Sequence, residues 1–188
     1  LGATNILNSS FGARFLDADN DGHRDLFVVN GHILDNIALY HAAVTHAEVK
    51  KLYRNLGGGR FADVTKAQPE AFRAPRVGRG LAVGDYDNDG FPDALINNNG
   101  ESGQLFRNSG ARSGNWLGIR LVGVKSVRDG TGAKLKLRAG PLLSYDQAKG
   151  GLSYCSAQDP RILFGLGPQA KVDLLEVLWP SGERQLLR

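Results

Sequence analysis

An internal repeat constrains the fold of this chain more than any other feature. Residues 11–30 align without gaps on residues 79–98, a shift of 68 positions. Each copy has an alternating apolar stretch, an acidic loop and a second apolar run, which predicts a strand, a loop and a strand. A third matching segment follows each copy, LYRN at 52–55 and LFRN at 105–108. With a further short strand predicted at 61–65, a unit of this size is typical of a β-propeller blade.

The two copies differ by an insertion of 15 residues between Gly31 and Lys51. Apolar residues of this insertion recur at spacings of three and four positions from Ile37 to Val44, which predicts a helix. The rest of the chain reads as strands. We therefore expect an all-β protein: a partial β-propeller of about two blades with one helical insert, followed by a small β-sandwich-like domain.

Both repeats carry the same acidic loop, with the pattern D-x-D-x-D-G-x-x-D. Four carboxylates within nine residues repel one another, and a bound cation relieves that repulsion. Carboxylates at alternate positions with glycine at the sixth match Ca²⁺ coordination, to which the main-chain carbonyl of the seventh position also contributes. We therefore predict two calcium sites. The first has the ligands Asp17, Asp19, Asp21, Asp25 and the carbonyl of His23; the second has Asp85, Asp87, Asp89, Asp93 and the carbonyl of Phe91.

The acidic loops have three alternative interpretations: an EF-hand, a Mg²⁺ site and a plain polar turn. An EF-hand requires glutamate at the twelfth loop position and flanking helices, but Val28 and Ile96 occupy that position within strand-like runs. Mg²⁺ fits less well because it prefers fewer protein ligands. Plain polar turns without an ion stay open as the alternative, although two identical spacings at matching places of a repeat favour calcium.

The composition fits a soluble globular protein, with 41% hydrophobic and 22% charged residues among 188. The 25 glycines favour a turn-rich β fold. We expect no membrane helix, because no apolar run is long enough, and the N-terminus lacks the layout of a signal peptide. The sequence begins with Leu1 and has no methionine, which indicates a processed chain or part of a longer polypeptide.

The C-terminal part differs in kind from the repeats. Its alternating apolar residues, separated by glycines, predict a small β-sandwich-like domain. The alternation is found at 116–122, 133–138, 162–164 and 172–179. We predict repeat blades with both calcium loops at 1–110 and a β domain at 111–188. The link at 109–114 is short, so we expect the β domain to cover the last blade.

A basic stripe follows one predicted strand of the C-terminal domain. Lys134, Lys136 and Arg138 alternate with apolar residues and therefore share one side of the strand. This pattern predicts a solvated sheet face, with an anion-binding surface as the alternative.

No catalytic constellation is recognisable, and we predict no catalytic residue and no enzymatic activity for this part of the protein. His41 and His46 are five residues apart, which is not the spacing of a helical zinc pair. Cys155, the single cysteine, excludes an intrachain disulfide and is expected to be a small buried residue. Trp116 and Trp179 lie in strand patterns and are expected in a core or between domains.

The two acidic copies resemble FG-GAP/VCBS repeats, the calcium-loop blades of integrin-type propellers, and the intervening LYRNLGGGRFADVT is similar to the phrase that ends such blades. Three further segments resemble the ASPIC/UnbV domain that follows these repeats in the cartilage acidic protein-like family. These segments are 116–138, 150–167 and 177–185. Cys155 and Ala157 depart from that pattern, and the earlier blades of the family are absent from this sequence.

The resemblance implies a secreted or cell-surface protein, with a periplasmic location as a variant, that serves structure, adhesion or assembly. Two blades do not close a ring, so we expect partners: the remaining propeller blades, further copies of the chain or another protein. The first alternative is a non-catalytic part of a polysaccharide-acting extracellular enzyme. The second is a module that binds an anionic polymer, with anionic polysaccharide preferred to nucleic acid because the basic part lacks interleaved aromatic residues.

Overall fold

The computed structural model describes residues 5–110 and 114–188, and the expected all-β class is confirmed. The first repeat forms one antiparallel sheet whose strands follow chain order. Its strands are β1 (Ser10–Leu16), β2 (Asp25–Asn30), β3 (Lys51–Asn55) and β4 (Phe61–Asp63). The alternation seen in the sequence therefore forms the four-stranded unit predicted for a blade.

The second repeat forms a three-stranded antiparallel sheet, not the four-stranded unit expected. Its strands are β5 (Gly78–Gly84), β6 (Asp93–Asn98) and β7 (Gln104–Phe106). The next described strand, β8 (Asn115–Ile119), pairs instead with β13 (Ile162–Gly167) of the C-terminal domain. The second repeat sheet therefore has no fourth strand among the described residues, because β8 pairs with β13 and not with β7.

The expectation of a helical insert is corrected by the structure. Between Gly31 and Lys51 the described helix is a single 3₁₀ turn, Ile37–Leu39, followed by turns. The apolar residues there do not form a packed stripe, since Leu39 is 82% exposed and only Val44 is buried. Helix nucleation is unfavourable, and without a surface to pack against a short segment does not compensate for it.

The two repeat sheets pack face to face around one apolar core. The core consists of Leu16, Phe27, Val29, Phe72, Leu81, Ala94 and Ile96. Phe72 belongs to the short helix α1 (Glu70–Arg73), which follows a 3₁₀ turn at Thr65–Ala67 and inserts its ring between the sheets. The sheets approach closely at Gly12, where a Cβ would lie 2.8 Å from the Cβ of Leu81.

The C-terminal domain is a small two-layer β structure, as predicted. Four strands form one antiparallel sheet: β9 (Lys134–Ala139), β10 (Leu142–Gln147), β14 (Leu174–Leu178) and β15 (Arg184–Leu187). Their order in the sheet is β10, β9, β14, β15, and the β8–β13 pair packs across it. The inward residues of β9, Leu135 and Leu137, are buried at the centre of this core.

A hairpin of the C-terminal domain lies against the first strand of each repeat. It consists of β11 (Gly151–Ser153) and β12 (Ser156–Ala157). The Ser153 hydroxyl accepts the main-chain N–H of Ala13, and Gln158 accepts the N–H of Val83. The hairpin and the residue that follows it therefore satisfy main-chain groups on both repeat sheets.

Within the described ranges, no helix is long and apolar enough to cross a membrane. The predicted domain division between residues 110 and 111 adjoins 111–113, which lie outside the described residues. That division stays a prediction.

Candidate metal centres

Each acidic loop joins the first two strands of its repeat, and the two loops have nearly the same backbone conformation. Asn20 and Asn88, at the fourth position, have left-handed φ values of 54° and 61°. Gly22 and Gly90, at the sixth position, have φ values of 89° and 88°. Asparagine and glycine tolerate this region best, so the matching residue types specify the matching turns.

Hydrogen bonds inside each loop turn the main chain around its first carboxylate. Asp17 accepts the N–H of Asp21 at 3.0 Å and that of Gly22 at 2.9 Å. The second loop has the same pattern: Asp85 accepts the N–H of Asp89 at 3.1 Å and that of Gly90 at 3.0 Å.

The structure brings three of the predicted ligands together in each loop. Carboxylate oxygens of Asp17, Asp19 and Asp21 lie within 4.8 Å of one another, and those of Asp85, Asp87 and Asp89 do the same. These are the positions one, three and five of the motif.

The ninth-position carboxylates are held by main-chain amides. Asp25 accepts the N–H groups of Ala18 and Asn55, at 3.1 and 2.8 Å. Asp93 accepts the equivalent amides of Tyr86 and Asn108, at 3.0 and 2.7 Å. Asp25 and Asp93 thereby close the base of each loop. Their role as metal ligands stays a prediction, as does that of the main-chain carbonyls of His23 and Phe91.

Crowding of carboxylates affects proton binding in the first loop. Burial raises the pKa of Asp17 to about 7, and the charges of Asp21, Asp25 and Asp19 contribute further to the rise. Burial likewise raises the pKa of Asp25 to about 6, against the lowering effect of its two amide hydrogen bonds. A divalent cation would favour the charged carboxylates and offset this cost.

Two arginines beside the loops were missed by the sequence analysis. Arg54 places Nη2 2.9 Å from Oδ2 of Asp19 and 3.4 Å from Oδ2 of Asp21. Arg107 contacts Asp87 through Nε and Asp89 through Nη2. The signal was present, because the matching segments LYRN and LFRN both contain arginine at the same place.

The asparagine that follows each arginine fastens the third segment of the repeat to its loop. Asn55 donates Nδ2–H to the carbonyl of Arg24 at 2.9 Å. Asn108 donates to the carbonyl of Ala18 at 2.8 Å, so it reaches from the second repeat to the first loop. In each repeat, therefore, the arginine contacts the carboxylates of a loop and the asparagine next to it bonds to the main chain of a loop.

The C-terminal domain lies against both loops. A Cβ at Gly90 would fall 2.0 Å from the indole of Trp116, so that ring rests on the second loop. A Cβ at Gly165 would fall 2.0 Å from Oδ2 of Asp17. Trp116 was expected in a core or between domains, and its ring lies against the second loop. The two acidic loops form part of the surface on which the C-terminal domain packs.

Arg161 gives the second loop a further contact with the C-terminal domain. Its guanidinium donates to the carbonyl of Asp85 and to Oδ1 of Asn88, while Asp159 holds it in place through ion pairing. Trp179 packs against the C-terminal core, as expected.

The expectation that Cys155 is buried is wrong. It is exposed and has a φ of 45°, because it lies in the tight turn between β11 and β12. His41 is exposed and His46 is half-buried. Among the described residues, the groups of three or more candidate metal ligands are the two Asp triads, and neither contains histidine or cysteine.

The donor chemistry fits a hard cation such as Ca²⁺. Every candidate ligand is an oxygen atom, which is the donor that Ca²⁺ prefers. The predicted carbonyl ligands, of His23 and Phe91, lie between the carboxylates of their loops in sequence. The fold and its sites define an all-β repeat protein with a pair of Asp-rich loops beneath a β domain.

Two known protein families match separate parts of the chain. Residues 17–96 match the model of the FG-GAP-like repeat, and residues 123–188 match that of the domain described as ASPIC and UnbV. The chain therefore contains an FG-GAP-like repeat region followed by an ASPIC and UnbV domain, as the sequence motifs predicted. No curated protein matches the chain. Domains of these two kinds are typical of extracellular, adhesion-type modules and are generally non-catalytic.

Proposed function

We propose that this chain is a calcium-binding structural module of a secreted or cell-surface protein, serving adhesion or assembly. One observation carries the proposal: two loops of the same repeat each gather three carboxylates within 4.8 Å and present them in the same backbone conformation. The ion would be held by the Asp triads and would neutralise their mutual repulsion, a structural role that involves no reaction.

The charge of each site supports a divalent ion. The first loop has four carboxylates and one neighbouring guanidinium, that of Arg54. The second loop has Arg107 at the same place, and the charge of the Arg161 guanidinium beside it is balanced by Asp159. One arginine leaves most of the negative charge unbalanced, and a bound Ca²⁺ reduces it to a level that a partly buried loop tolerates.

The position of the loops suggests what the ions would stabilise. Because Trp116 and Gly165 of the C-terminal part lie against them, fixing the loops also fixes the surface on which that part packs. Calcium would therefore stabilise the repeat region and its contact with the C-terminal domain together.

Calorimetry with and without a chelator tests the proposal. At a calcium concentration of about 100 times the dissociation constant, each occupied site adds about 2.7 kcal/mol to the free energy of unfolding. We expect Asp87→Asn to lose most of one site's contribution. Asp35→Asn, a matched change in an exposed part of the insert, should keep it. An unchanged melting temperature in chelator, with no calcium found by elemental analysis, would refute the assignment.

A second candidate function, binding of an anionic polysaccharide, is favoured by the outer face of the C-terminal sheet. Lys134 and Arg138 are exposed there, and Lys136 lies over the ring of Tyr145, which is 58% exposed. Glu176 of β14 lies opposite Lys136 on this face, and Arg184 of β15 pairs with it.

Salt-dependent retention on heparin tests this candidate. The triple change of Lys134, Lys136 and Arg138 to glutamine should lower the salt concentration needed for elution. The same number of charges removed at the exposed Lys66, Lys125 and Lys171 serves as the control. Equal shifts for both triple variants would mean that retention reflects net charge alone, and the face would then be an ordinary solvated one.

A further inference from the structure

Arg14 is a partly buried charged residue that neither acidic loop uses. It belongs to β1 and lies opposite Phe27 of β2, so it shares the sheet face whose apolar residues form the core between the repeats. Its Nε atom is buried, and within the described residues no acceptor meets it. Burial lowers the pKa of the Arg14 guanidinium, because the charged form has lost part of its hydration. A buried donor without an acceptor destabilises the fold unless a bound group supplies one.

The carboxylate whose charge acts on Arg14 is that of Asp146 in β10, and it is bonded to other groups. Its Oδ2 accepts a hydrogen bond from Nη2 of Arg24 at 2.8 Å, and its Oδ1 accepts the N–H of Gln147 at 2.7 Å. The charge of Arg24 also acts on Arg14 and opposes the effect of Asp146. Two guanidiniums therefore share one carboxylate, which leaves one positive charge uncompensated.

These side chains line a cavity of about 60 Å³ between the repeats and the C-terminal domain. Lys149, an exposed residue that follows β10, lines it from the C-terminal side. The volume corresponds to about two water molecules of the liquid. It therefore has room for a group of a few heavy atoms, but not for a sugar ring or a peptide.

The other carboxylates of this lining do not remove its positive charge. Asp159 pairs with Arg161 at 2.6 Å. Asp17 accepts two main-chain amides of its own loop and belongs to the first predicted calcium site. Among the described residues, four cationic side chains and three carboxylates line the cavity, so it keeps an excess positive charge even with Asp17 ionised.

We infer that this cavity binds a small tetrahedral oxyanion, a sulfate or phosphate group, with Arg14 and Lys149 as its donors. Guanidinium and ammonium groups form charge-assisted hydrogen bonds with such oxygens, and the planar fork of arginine matches their spacing. The two donors come from the repeats and from the C-terminal domain, which suits a group with four acceptor oxygens better than a carboxylate with two. The inference goes beyond the calcium sites, because its ligand is an anion that joins these two parts of the chain.

Calorimetric titration with sodium sulfate tests the inference. The 188-residue chain is held at a fixed calcium concentration, and sodium chloride keeps the ionic strength constant. We expect one sulfate site, and a higher melting temperature when sulfate is bound. Arg14→Met keeps an apolar stem but removes a charge-assisted donor, so it should weaken binding roughly tenfold or more. Arg60→Met, at an exposed position of the first repeat, should bind sulfate like the wild type.

Melting in sulfate-free buffer separates loss of binding from loss of folding. Because Arg14 has an unsatisfied buried donor there, Arg14→Met should melt at the same temperature as the wild type or a higher one. Lys149→Gln removes the second donor at an exposed position and should also weaken sulfate binding. If Arg14→Met fails to fold, Lys149→Gln decides. No sulfate binding by the wild type, or equal affinity in every folded variant, would overturn the inference.

A sulfated disaccharide derived from heparin distinguishes two sources of the oxyanion. Tighter binding of the disaccharide than of inorganic sulfate, lost in Arg14→Met, would identify a sulfate group carried on a glycan. Equal binding of the two would identify the free ion.

Selenate, a tetrahedral analogue of sulfate, locates the bound group in crystals of the chain. Because the sequence has no methionine, the anomalous signal of selenium comes from selenate alone, and it should lie within hydrogen-bond distance of Arg14. A signal found only elsewhere would overturn the inference. The calcium assignment is judged separately, by ion content and chelator sensitivity in sulfate-free buffer, so either proposal can fail while the other stands.

Discussion

The side chain of Asn20 donates a hydrogen bond from Nδ2 to the main-chain carbonyl of Gly90, at 3.0 Å, and so ties the first acidic loop to the second. Asn20 is completely buried. The main-chain carbonyl of Asn20 accepts a hydrogen bond from the N–H of Gly167 at 2.8 Å. One residue therefore joins both loops and the C-terminal domain, which makes the three parts interdependent.

Replacing Asn20 by alanine should lower the free energy of unfolding by about 2 to 3 kcal/mol. The change places alanine at a φ of 54° and leaves the buried carbonyl of Gly90 without its donor. Asn88→Ala is the matched control, because it has the same backbone penalty at a φ of 61° and loses only an exposed hydrogen bond from Arg161, not a buried bond between the loops. Chemical denaturation measures both variants, and equal losses would contradict a special role for Asn20.

Replacing Gly90 by alanine should displace the indole of Trp116 and loosen the C-terminal domain. The new Cβ would lie 2.0 Å from the indole ring, in addition to the strain of a φ of 88°. Gly100→Ala tests the backbone strain alone, since its φ is 70° and nothing lies within 4 Å of its Cβ. In a Trp179→Phe background, Trp116 fluorescence should shift to the red for Gly90→Ala only. Faster proteolysis between the repeats and the C-terminal domain should accompany this shift.

Lys50 should make stability rise with pH between about 8 and 10.5. It is 2% exposed, and burial together with the nearby charge of Arg76 lowers its pKa from 10.5 to about 8. In this interval the unfolded chain keeps the proton that the folded chain has released, so raising the pH favours the folded state. Below pH 8 both states are protonated, and the penalty for burying the charge is present in full.

Denaturation of the wild type and of Lys50→Met across this pH range measures the effect. The variant should lose the slope, while Lys66→Met, at an exposed position, should keep it. The expected gain is about 3 kcal/mol over the whole interval. Parallel curves for the wild type and Lys50→Met would show that the hydrogen bonds from Nζ to the carbonyls of Phe72 and Ala74 keep the lysine charged.

Replacing Arg107 by leucine should strengthen calcium binding at the second loop roughly three- to tenfold. The guanidinium contacts Asp87 and Asp89, so its positive charge opposes that of an incoming cation, and solvent screening limits the effect. Arg73→Leu, at an exposed position in α1, is the control. Calorimetric titration decides it, and weaker binding would mean that Arg107 mainly positions the carboxylates.

Much of the repeat region could be predicted because its signals are local. The alternation of apolar residues gives the strands, and the acidic motif specifies turns through the special conformations of Asn20, Gly22 and their counterparts. Local patterning failed in the insert, where the periodicity from Ile37 to Val44 has no surface to cover and a single 3₁₀ turn results. It also failed for Cys155, whose exposure follows from its place in a turn.

The sequence by itself determined the β class, the two-part organisation and the candidate ligands, because these depend on spacing within a few residues. Only the tertiary structure decided that Arg54 and Arg107 reach the loops, that Asn20 bonds to Gly90, and that Leu95 is exposed while Phe27, its counterpart in the first repeat, is buried. Each of these relationships brings together residues far apart in the chain, or depends on what covers a surface. Such contacts are set by how the sheets pack, which no local period in the sequence encodes.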